Sequence, residues 1–172
     1  MLMTPGLRKF ALTAHVTVSV GLLGAIAGFL VLAIAGLGSE DAQVARSAYP
    51  AMQLLTWAVI LPLAFAALAT GIIQSLGTRW GLIRHYWVVI KLVLTAIATG
   101  VLLMQLDNIG YVAQAAETGL APGELLTARI SLVAHAAGGL LVLLVPMALS
   151  VYKPRGRTRY GQRRQGRAVF VR

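Results

Sequence analysis

Cysteine is absent from the 172-residue sequence. That excludes disulfide scaffolds, thiolate metal sites, iron–sulfur clusters and cysteine nucleophiles. Acids are nearly as scarce, with five Asp+Glu against fifteen Lys+Arg and a formal charge of +10. None of the five lies within a long apolar stretch. The spans therefore hold no serine–histidine–acid arrangement, and none of the intramembrane carboxylates that proton-coupled transport usually needs. Phosphate loops and nucleotide fingerprints are also missing. Charged residues make up 12% of the chain, about half of the roughly 25% usual in a soluble domain.

What is present is apolar, with 58% hydrophobic residues and a mean hydropathy of +0.79. Four stretches, at about 10–37, 49–76, 86–106 and 130–152, are long enough to cross about 30 Å of hydrocarbon at about 1.5 Å per residue. Each is expected to be helical, since a lone strand would leave backbone groups unpaired in lipid. The first run is much longer than the h-region of a signal peptide. The expected fold class is all-α: an antiparallel four-transmembrane-helix bundle over 1–152, followed by a basic tail over 153–172.

Charge is sorted along the chain. Thirteen of the fifteen basic residues lie at the N-terminus, in the 77–85 turn with Lys91 just beyond it, or in the tail. Arg46, Arg129 and all five acids lie on the other side. This bias predicts a multi-pass protein of a bacterial plasma membrane with both termini cytoplasmic. Lys153, Arg155, Arg157 and Arg159 directly abut the fourth span, so they are read as contacts to anionic lipid headgroups rather than to nucleic acid. Trp80, Tyr86, Trp87 and Tyr152 read as an interfacial belt. The outer loops are expected at 38–48, with Ser39 as a helix cap, and at 107–128, with a helix start at Ala121-Pro122-Gly123-Glu124.

Helical spacing sorts the spans into faces. Gly21, Gly24 and Gly28 form a small-residue stripe on span one, and Gly138 and Gly139 lie on one face of span four; both sets suit close helix packing. Pro62 should kink span two. Polar residues fall into two layers, roughly 10–15 Å apart by rise. His15, Gln74 and Lys91 form the cytoplasmic layer, and Gln53, Thr56, Gln105, Ser131 and His135 form the outer one. Lys91 either snorkels to headgroups or has a partner in the bundle. His15 and His135 are candidate haem or metal ligands, or histidines hydrogen-bonded across helices. Their depths place them apart, so His15 with Lys91, or His135 alone, is the geometric proposal for a pocket. His85 reads as a headgroup contact, and Met52, Met104 and Met147 as core filler rather than a copper site.

Three segments carry a family resemblance. They are Leu7-Arg-Lys-Phe-Ala-Leu-Thr-Ala-His15, the run from Gln74 to Lys91 containing Gly-Thr-Arg-Trp-Gly-Leu-Ile-Arg-His-Tyr-Trp, and Leu149-Ser-Val-Tyr-Lys-Pro-Arg-Gly-Arg-Thr-Arg-Tyr-Gly161. Over essentially its whole length the chain resembles a family of four-span bacterial integral membrane proteins without assigned chemistry. That family is distantly similar to copper-resistance D-type proteins and to HemJ-type protoporphyrinogen oxidases. In the latter, a histidine in the first span and a lysine in the third matter for haem-linked activity. His15 and Lys91 match those positions, although Thr13, Thr17 and Ser19 surround His15 where that type carries charged and aromatic residues.

The resemblance implies b-type haem binding with a redox role. The alternatives are a structural or accessory subunit packing through the glycine stripe, as a homo-oligomer or within a membrane complex, and a small-solute or metal-ion permease. A reporter active only in the cytoplasm, fused after the last residue, should be active; activity of a reporter that works only outside the cytoplasm would reverse the orientation.

Overall fold

The computed structural model describes residues 3–78, 81–118 and 125–152, together with 154, 156 and 158. Trp80, the 121–124 helix start, Lys153, Arg155, Arg157 and Arg159 lie outside the described residues.

Helix α1 runs Pro5–Gly38. It begins earlier than the apolar run because Thr4 caps it, accepting from Leu7 N–H at 3.4 Å, with Pro5 at its first position. Helix α2, Ala42–Leu55, is capped by Asp41 rather than Ser39. The Asp41 carboxylate accepts from Gln43 N–H at 2.8 Å, and Ser39 Oγ accepts from Asp41 N–H at 3.1 Å. A π-helical turn, Thr56–Ile60, joins α2 to α3, Leu61–Gly77.

That turn is the local consequence of Pro62. Proline lacks an N–H, and its ring clashes with the carbonyl four residues back. The helix widens by one residue there, and Leu61 N–H donates to Thr56 O. The Thr56 hydroxyl, fully buried, donates to Met52 O at 2.8 Å.

Helix α4 spans Tyr86–Thr118, twelve residues beyond the apolar run. The expected loop beginning at Asp107 is helical because Ile109, Val112, Ala113 and Ala115 recur at helical spacing and are buried. Helix α4 packs against α2. Gly110 admits Gln53: a Cβ there would lie 3.6 Å from Gln53 Nε2. Helix α5 spans Leu126–Tyr152. Before α4, Gly81 takes a positive φ of 64°, which L side chains rarely adopt.

The chain is all-helical, and four helices (α1, the continuous Arg46–Gly77 unit, α4 and α5) are long and apolar enough to cross a membrane. In the most apolar window of each, at most 22% is buried within the chain. The rest is an apolar surface much larger than soluble proteins expose. Met52, Val112 and Leu132 are central to the core.

One buried cation ties the helices together. Arg129, 8% exposed on α5, donates from Nε to the Tyr49 hydroxyl at 2.6 Å. Its NH2 group donates to the carbonyl of Gly36 near the end of α1. The guanidinium carbon also sits 5.4 Å from the centre of the Tyr49 ring. Gly36 makes this possible, since a Cβ there would fall 2.8 Å from Tyr49 Cζ. Replacing Arg129 with Met should cost about 2–4 kcal/mol, because it strands a buried carbonyl and a buried phenol. G36A should cost about 1–3 kcal/mol by overpacking. Thermal unfolding of the purified protein, followed by circular dichroism, reads both; an unchanged midpoint for R129M would remove Arg129 as the tie.

Candidate functional site

Helices α1, α4 and α5, with Ile60 and Ala64, enclose a cavity of about 240 Å³. Leu22, Ile26, Phe29, Leu102 and Leu143 supply apolar walls. Ile97 and Val101 of α4 and Ala134 of α5 also line it and are exposed on the helix surfaces, so the cavity opens sideways between α4 and α5. Gly138 and Gly139 border it with nothing within 4 Å of where a Cβ would stand. Within the chain these two glycines leave open space beside the cavity. Gly24 and Gly28 are likewise open, whereas Gly21 meets Leu63 at 3.5 Å. Close approaches occur instead at Gly36 against Tyr49, Gly71 against His15, Gly77 against Met3 and Gly81 against Arg84.

The polar groups at one end of the cavity form a chain. Asn108 Nδ2 donates to Gln105 Oε1 at 3.3 Å and to Ala128 O at 3.4 Å. Gln105 Nε2 donates to Ser131 Oγ at 3.3 Å. His135 Nδ1 lies 2.8 Å from Ser131 O and 3.2 Å from Ser131 Oγ. A backbone carbonyl can only accept, so Nδ1 carries a proton, and the tautomer that fits leaves the lone pair on Nε2. Gln105 and His135 both line the cavity. Of the expected outer layer, Gln105, Ser131 and His135 are thus brought together. Thr56 bonds within its own helix and Gln53 faces Gly110. Asn108 was missed because it lay in a segment read as loop.

His15 is set in the same way on a different pair of helices. The Thr70 hydroxyl donates to Ala66 O at 2.6 Å, so its oxygen accepts from His15 Nδ1–H at 3.0 Å. The His15 ring lies against Gly71, where a Cβ would fall 3.2 Å from Cε1. Lys91 is near enough for its charge to act on the His15 ring, and its Nζ sits 5.6 Å from the centre of the Trp87 ring. Trp87 is buried beneath that ammonium, not part of an interfacial belt, while Tyr86 and Tyr152 are exposed. Gln74 follows one turn after Thr70 on α3. His15, Gln74 and Lys91 do not line the cavity. The nearest α1 residue that does, Leu22, is about 10 Å of helix rise from His15.

Imidazoles that donate from Nδ1 and carry the lone pair on Nε2 have the donor chemistry of axial or metal ligands. The space is less favourable. A cavity of about 240 Å³ falls below the roughly 300–1,000 Å³ of small-molecule sites. Among the described residues no three His, Asp or Glu side chains converge as a metal site. No protein-family model, curated protein or solved structure matches the chain.

Imidazole ¹⁵N spectra should show protonated Nδ1 and unprotonated Nε2 at both His15 and His135. T70V should change the His15 signals alone, and an Nε2-protonated His135 in the unaltered protein would contradict the geometry.

Proposed function

We propose that this chain is a multi-pass protein of a bacterial plasma membrane, with both termini cytoplasmic, that binds a small lipid-soluble molecule within the bilayer. The observation that carries the reading is His135, its Nδ1 tied to Ser131 O, lining an apolar cavity that opens sideways between two helices long enough to span a membrane. A polar acceptor in a membrane span is costly, and such groups mark ligand or ion paths. The basic bias at the termini and the 77–85 turn supports the orientation, and the tail that follows α5 suits an anionic-lipid surface.

The resemblance to haem-linked families points to His15 and Lys91, which share one end of the bundle. The cavity points to His135. The second is the stronger support, because it combines a donor set with room for a ligand.

A small hydrophobic aryl diazirine, photolysed with the protein in native-composition vesicles, tests the reading. Saturable labelling of 95–105 and 134–143 that G139L abolishes is expected. Labelling that rises without saturation on every lipid-facing segment would overturn it. A haem Soret absorbance lost on replacing His135 or His15 with Phe would replace it with the haem reading.

A further inference from the structure

Resting on that reading, the ligand class follows from three features of the cavity. The first is its size. At about 240 Å³ it lies just under the roughly 300–1,000 Å³ of drug-sized sites. A space of this size suits one substituted ring, with any longer remainder outside the cavity. The second is shape. Gly138 and Gly139 leave a stretch of α5 without side chains beside the space, and Phe29 contributes an aromatic wall. A flat ring can lie along such a surface where a branched chain would waste contact. The third is polarity. His135 Nδ1–H is committed to Ser131 O, while Gln105 gives one of its two Nε2 hydrogens to Ser131 Oγ and accepts from Asn108 at Oε1. His135 therefore offers an acceptor, and the matching ligand group is a donor.

Together they describe a molecule with a single ring, an O–H donor and an apolar remainder that can leave sideways into lipid. We infer that the cavity binds a lipid-soluble quinol, its hydroxyl donating to His135 Nε2 and its tail passing between α4 and α5. The contact to His135 favours the reduced form. The oxidised quinone has no O–H to give to the Nε2 lone pair of this tautomer. A phenol of similar size satisfies the same chemistry, but a fatty acid does not: its carboxylate would need a cation where the cavity presents a lone pair.

Three ligands competing against the diazirine label test this: a decyl-substituted benzoquinol, its dimethyl ether and the corresponding quinone. The quinol should displace the label at a concentration at least tenfold lower than the ether or the quinone. That is the difference expected when an acceptor facing hydrocarbon gains one donor, about 1.4 kcal/mol. H135F should abolish the difference while label and ether still compete, which separates lost hydrogen bonding from lost folding. G139L should abolish competition by all three.

Equal displacement by all three ligands would overturn quinol recognition and leave the apolar site standing. A tenfold preference that survives in H135F would overturn the assignment to His135. Absence of saturable labelling in the unaltered protein would remove the cavity reading, and this inference with it.

Discussion

The arrangement of helices turns on Arg129. Its guanidinium is permanently charged and is buried inside a chain whose surroundings are otherwise apolar. A charge there is tolerated only when its donors are matched. Here the end of α1 supplies a carbonyl, and helix C-termini carry the negative end of the helix dipole. Tyr49 of α2 supplies both an oxygen and a ring face. One side chain thereby holds three helices and sets the rotation of α5 about its axis. That rotation brings Ser131 to Gln105 and lets His135 line the cavity.

The two histidines show how the same helical geometry yields different environments. Both have Nδ1 tied to an oxygen one turn away or on the adjacent helix, and both present Nε2. His15 is packed flat on Gly71 between α1 and α3, with the Lys91 charge nearby. His135 stands where two glycines withdraw the wall. Packing glycines and cavity glycines look identical as spacing on a helical wheel. Only the neighbour across the gap distinguishes them. Gly36 and Gly71 have an aromatic or imidazole ring against them, and Gly138 and Gly139 have space.

Much of the fold was legible in the residues. Apolar length marked four helices, and Pro62 marked the break in the second, where a π-turn absorbs the missing hydrogen bond. Gln105, Ser131 and His135 were grouped by depth alone, and they do meet. The extension of α4 to Thr118 was hidden by Asp107 and Asn108, which resemble a loop boundary. Helix faces tolerate such residues when the opposite face, from Ile109 to Ala115, is buried. Arg129 was counted as a boundary charge because its partners lie 80 and 93 residues away in sequence.

The sequence by itself determined that the chain is helical and suited to a membrane, and how its charges divide between the two ends of the spans. Those properties depend on length, composition and local order, which a linear chain carries in full. Tertiary structure decided which polar groups satisfy one another, which glycines mark contact and which mark space, and that a cavity lies beside His135 but not His15. Those outcomes depend on the rotation and register of helices against each other. Similar apolar surfaces on every side leave both open until a long-range tie such as Arg129 to Gly36 selects one.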